Sequence, residues 1–158
     1  MTTKTVKIKR TTLTIIHCLI PLLVGGLLYV LFRSTTLRMF EWFSLIGFED
    51  AIQSARTSAF EYKNYLPNWA YLSLPDGLWI YSFTSAILIY WHNDNKKTKF
   101  WLLIPFTTGI LIEILQGFKL FPGTFDYLDL TFSILGLSIS KIIINHKFKQ
   151  NDKQKQTH

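Results

Sequence analysis

A chain of 158 residues that is 49% apolar and 16% aromatic, with its charge confined to particular segments, is too apolar for an ordinary soluble protein and has the composition of a single membrane domain. The net charge of +7 sits largely in the two tails and one short turn, so it reads as a topology signal. No basic stripe lies on a water-facing helix, which argues against nucleic-acid binding.

In chain order, Lys4, Lys7, Lys9 and Arg10 precede an apolar run from Leu13 to Phe32. About twenty residues match a bilayer span and exceed the apolar region of a secretory signal, and Tyr29-Val-Leu-Phe-Arg33 offers no small-x-small cleavage site. We expect an uncleaved first span over 13–32 with its N-terminus in the cytoplasm. Within it, His17, Pro21 and Gly25 share a stripe that can face the bundle, and His17 reads as a packing or interfacial histidine rather than a ligand. Cys18, the only cysteine, falls in the same run and has no partner for an internal disulfide.

Arg33 to Tyr71 is a long connection of balanced charge. Leu37, Phe40, Trp42, Phe43, Leu45, Ile46 and Phe48 come too densely and too briefly to span, which suits a helix lying in the interface, and Tyr62, Tyr65, Trp69 and Tyr71 supply a further aromatic belt. We expect this segment to cap the bundle. Pro67 and Pro75 bound a second span over 72–91, with Asp76 at its start. A carboxylate there either satisfies the free N–H groups of the helix N-terminus or joins an acidic site.

The hydrophilic stretch around Lys96, Lys97 and Lys99 is a turn leading to a third span over 100–118, where Pro105 either kinks the helix or marks a late start. A turn punctuated by Pro122 and Gly123 leads to a fourth span over 127–145, and Lys141 near its end can snorkel to the headgroups. The basic residues 146–158 read as a disordered cytoplasmic tail. The expected fold is therefore an all-α integral membrane protein, one domain over 1–145, with four transmembrane helices and an interfacial aromatic segment between the first and second. With both termini inside, twelve of the seventeen Lys and Arg residues face the cytoplasm, against Arg33, Arg38, Arg56, Lys63 and Lys119 outside.

The stretch from Gly109 to Gly136 sets Glu113, Gln116, Asp126 and Asp129 into an otherwise apolar context. Glu113 and Gln116 share a helix face, with Gly109 and Gly117 on nearly the same stripe, and Asp129, Ser133, Gly136 and Ser140 repeat the arrangement on the next helix. Two such small, polar faces are expected to pack the third and fourth helices together. Glu113 lies about 20 Å along its helix from Phe100, so it falls in the outer third of the bilayer, level with Asp76, Gln116, Asp126 and Asp129.

The spacing Glu113-x-x-Gln116, a short link, then Asp129 with Gly136 seven residues on, resembles the VanZ-like family of small bacterial membrane proteins. Leu74-Pro-Asp-Gly-Leu-Trp79 is a softer echo of that family's earlier helix start. The family pattern carries an Arg near the place of Thr124 and an Asn where this chain has Ser133. The resemblance implies a role in the cell envelope at the bacterial inner membrane, through the family's association with resistance to the glycopeptide teicoplanin, and it names no reaction.

A carboxylate at the depth of Glu113 must be protonated, partnered or facing water. One reading is interhelical hydrogen-bond glue among Glu113, Gln116, Asp129 and Ser133. The other is an outward-facing polar pocket under the aromatic cap, formed by Glu113, Gln116, Asp126, Asp129, Asp76 and Ser133, with Arg56 as the loop cation paired with it. Such a pocket would bind an envelope lipid, a lipid-linked precursor, a glycopeptide-like ligand or a cation. No cofactor is implied, although oxygen ligands would suit a divalent ion such as Mg²⁺ or Ca²⁺. The sequence holds no Ser-His-Asp set, phosphate loop or His-rich metal motif, so binding is favoured over catalysis. An intramembrane enzyme acting on a lipid-linked substrate, and a small ion-coupled carrier working as a homo-oligomer, remain the alternatives.

Overall fold

The computed structural model describes residues 10–35, 38–121 and 125–156, with side chains described as far as residue 149. Among the described residues there is no strand, and the helices are α1 (Arg10–Phe32), α2 (Arg38–Leu45), α3 (Glu49–Phe60), α4 (Asn68–Leu72), α5 (Leu74–Tyr90), α6 (Asn95–Gly117) and α7 (Tyr127–Gln156). Three of them are long and apolar enough to cross a membrane: α1, α6 and, over Tyr127–Lys149, α7. The sequence predicts four. The one that falls short is α5, whose 17 residues extend about 25 Å against a hydrocarbon core of about 30 Å. The cause is local. Pro75 lacks the N–H that would continue the helix from α4, so the chain restarts at Leu74.

Short as it is, α5 is the centre of the bundle. It packs against α1 on one side and α7 on the other, and only Phe83 and Tyr90 of its residues are exposed. That burial needs small side chains. A Cβ on Gly77 would stand 2.8 Å from the Phe132 carbonyl oxygen, and one on Gly136 would run into the Gly77 carbonyl. Two turns deeper, Ser85 Oγ and Ser140 Oγ share a hydrogen bond of 2.8 Å. The deeper part of the stripe, Gly136 and Ser140, therefore faces the second expected span where spacing predicts the third, while Ser133 meets the third. Helix α6 joins through Gly109, where a Cβ would lie 2.6 Å from Ile80 Cδ1 and 3.2 Å from Ser133 Oγ.

Helix α1 meets α5 through a wide π turn at Ile15–Leu19. His17 Nδ1 and Tyr81 OH are 2.6 Å apart, and Ser82 Oγ donates to the Cys18 carbonyl at 2.7 Å. At that end of the bundle Cys18, Leu88, Ile89, Ile144 and Phe148 form the apolar core, flanked by His92 stacked on Phe148 at 3.8 Å and Trp91 on Trp101 at 5.4 Å. The turn into α6 is capped by Asp94, whose carboxylate accepts the Lys97 N–H at 3.0 Å; that bond holds it below the usual carboxylate range. Helix α6 starts five residues before the expected span and carries Pro105 inside it, next to an interruption of regular helix at Leu102. The backbone of α7 stays helical to Gln156, past the expected end of the span at 145.

The described part of the connection from Arg33 to Tyr71 is largely helical and tied to the bundle. Trp69 stacks on Phe132 at 5.6 Å, and the Tyr71 ring packs tilted against Phe32 at 5.6 Å. Arg56 of α3 donates to the carbonyls of Val30 and Arg33, the latter at 2.7 Å, so it caps the C-terminal end of α1. Replacing it removes two charge-assisted bonds to the carbonyls that end α1. Arg56→Ala is expected to lower stability in detergent by about 2 kcal/mol, read from the unfolding midpoint.

Candidate functional site

Because α5 and α7 begin at the same end of the bundle and α6 finishes there, their terminal turns come level. This brings Asp76 from α5, Glu113 from α6, and Asp129 and Ser133 from α7 onto the wall of one cavity of about 400 Å³. Its other lining residues are Trp79, Ile80, Phe83, Ile104, Thr108 and Gly109. The polar groups stand at one end. Phe83 lies seven residues below Asp76 and Ile104 nine below Glu113, so the apolar walls extend roughly 10 Å from the acids toward the middle of the bundle.

A second π turn, Thr107–Leu111, ends two residues before Glu113. It widens α6 by one residue, which is how Thr108, Gly109 and Glu113 all reach the same cavity although five residues separate the first from the last. Turns of this kind recur at functional sites.

Each acid has a different environment. Asp76 Oδ2 stands 3.4 Å from Arg33 Nη2, which also donates to the Leu72 carbonyl at 2.7 Å. Glu113 Oε2 accepts the backbone N–H of Asp126 at 3.2 Å. Asp129 Oδ1 is buried and has no hydrogen-bond partner among the described residues. Ser133 is only 2% exposed.

The site predicted from sequence is thus assembled in part. Asp76, Glu113, Asp129 and Ser133 meet. Asp126 contributes its backbone N–H to Glu113 while its carboxylate turns to the Leu128 N–H at 2.8 Å, so it caps α7 and stays out of the lining. Gln116, one turn beyond Glu113, is partly buried and is not among the lining residues. Arg56 is held by the end of α1 and does not pair with the acids. The cation that does is Arg33, which sequence reasoning leaves in the connection. The signal for it is its position: an arginine ending the first apolar run comes level with the start of the next antiparallel helix, where Asp76 waits. Its guanidinium also lies over the Tyr29 ring at 5.2 Å. Thr124, near the place of the family's arginine, lies outside the described residues.

Among the described residues no group of three His, Cys, Asp or Glu side chains is gathered as a metal site. The arrangement instead offers carboxylate and hydroxyl acceptors at the polar end of an apolar slot. Comparison with protein families, curated proteins and solved structures finds no match.

Proposed function

We propose that this chain is a VanZ-like protein of the bacterial inner membrane, and that its acidic cavity opens outward and binds the headgroup of an envelope lipid, a lipid-linked precursor or a glycopeptide-like ligand. The observation that carries the reading is the meeting of Asp76, Glu113, Asp129 and Ser133, from three helices, on one cavity wall. Interhelical glue needs side chains in direct contact. Here Asp129 Oδ1 is left without a partner and the groups stand around open volume. Purified protein, assayed with envelope lipids and lipid-linked precursors, is expected to bind and to release its ligand unchanged. Turnover that disappears in Glu113→Gln and Asp129→Asn would replace this reading with an intramembrane enzyme.

In the proposed topology α5, extended outward by α4, is the second of four spans, with α2 lying in the outer interface and both termini in the cytoplasm. The burial of α5 between α1 and α7 supports this, as does the excess of Lys and Arg on the cytoplasmic side. On α2 and just beyond it, Trp42, Leu45, Ile46 and Phe48 are exposed, which is the arrangement an interfacial helix needs. Single cysteines placed at Tyr65 and Lys97, both exposed, test it in intact cells. An impermeant thiol reagent is expected to label position 65 and spare position 97; labelling of 97 from outside sinks the topology.

A further inference from the structure

We infer that the cavity selects an ammonium headgroup and that the molecule carrying it enters sideways, from the hydrocarbon, between α5 and α6. This rests on the reading above that the cavity binds a headgroup.

The selection follows from the inventory of donors and acceptors. Three carboxyl groups line the cavity, and the one guanidinium that reaches them, from Arg33, is committed to Asp76 and the Leu72 carbonyl. Asp129 Oδ1 is buried without a partner. Ser133 is 2% exposed, lines the cavity, and its hydroxyl makes no hydrogen bond with the described residues. Unused acceptors beside uncompensated carboxylates call for a cation that carries N–H donors. A phosphate or sulfate presented alone would meet like charge, and a sugar would leave the charge uncompensated.

The route follows from exposure. Phe83 is 53% exposed and Ile104 50%, and Thr108 above Ile104 is also open. These residues form the side of the cavity that faces away from the bundle. An alkyl chain can therefore lie along Phe83 and Ile104 while its headgroup stands against Asp129 and Glu113. A water-soluble amine gains nothing from that wall, so the ligand class is an amphiphile with an N–H-bearing ammonium. Both an aminophospholipid and a free long-chain amine have that chemistry.

The test uses the full chain in lipid nanodiscs containing equal parts of phosphatidylethanolamine, phosphatidylcholine and phosphatidylglycerol, with the lipid retained by the protein identified by native mass spectrometry. Retention of phosphatidylethanolamine is expected, and added dodecylamine is expected to displace it, whereas dodecyltrimethylammonium, which has no N–H, is not. Asp129→Asn is expected to weaken retention about tenfold or more, and Ser133→Ala to weaken it less. If Asp129→Asn fails to fold, as judged by thermal unfolding, Ser133→Ala carries the comparison. Ile104→Trp narrows the side opening and is expected to slow loading while leaving the acids in place; loading at the wild-type rate overturns sideways entry. Failure of dodecylamine to displace the phospholipid shows that phosphate is being read and overturns the ammonium assignment. Preferred retention of phosphatidylglycerol, lost in Asp129→Asn, overturns the ammonium assignment too but leaves headgroup binding standing. Retention that neither Asp129→Asn nor Glu113→Gln alters removes both.

Discussion

Gly136→Leu is expected to be the most damaging single change in the bundle, because even the first carbon of a new side chain would run into the Gly77 carbonyl of α5. Backbone cannot move aside as a flexible side chain can. The two helices must separate, which breaks the Ser85–Ser140 bond one turn along α7 and opens the contact around Phe132. Overpacking of a well-packed interior costs about 1–3 kcal/mol, and a clash between backbones belongs at or above the top of that range. The unfolding midpoint in detergent reads the effect. Gly26→Leu supplies the contrast, since nothing lies within 4 Å of a Cβ at that position; it is expected to leave the midpoint unchanged or to raise it through better helix propensity. Equal effects at the two glycines would mean that α5 and α7 do not meet as described.

Glu113→Gln is expected to separate binding from folding. The amide keeps the shape of the side chain and can still accept the Asp126 N–H, while an ionisable group is removed from the bundle. Stability in detergent should hold or rise. Binding should fall about tenfold or more, because a hydrogen bond to a charged group is worth about 1.5–3 kcal/mol. Isothermal titration or lipid retention on the same preparations makes the comparison. A Glu113→Gln protein that is both fully stable and fully active would return Glu113 to the scaffold.

The parts of this architecture legible in the sequence are those set by composition and local periodicity. The apolar runs, the prolines at 67 and 75, the Asp94 turn and the stripe from Asp129 to Ser140 each announce themselves within a few residues. What the stripe packs against is not local information. A small-residue face tells that a helix backbone comes close, and both α5 and α6 carry glycines able to receive it, Gly77 and Gly109. The choice between them depends on the whole bundle. The same holds for the cations. Arg33 and Arg56 stand in one connection with similar surroundings in the sequence, and only the docking of α3 against α1 sends Arg56 to the carbonyls and leaves Arg33 facing Asp76. Asp126 and Asp129 likewise look equivalent until the start of α7 is placed, when one becomes its cap and the other faces inward.

The wide turn at Thr107–Leu111 has a consequence for how this helix can change over time and in the laboratory. Such a turn is in effect a one-residue insertion absorbed without breaking the helix. Removing a single residue from it would restore the ordinary period with the phase of the two flanking stretches kept, because the wide turn already takes up that residue. Gly109 lies inside the wide turn and Glu113 two residues past its end, so a further inserted residue, which the turn has no slack to take up, would turn Glu113 by about 100° against the Gly109 contact with Ile80 and carry it off the cavity wall. Chimeras, insertions or deletions that cross residues 107–111 should therefore be built in register with Glu113.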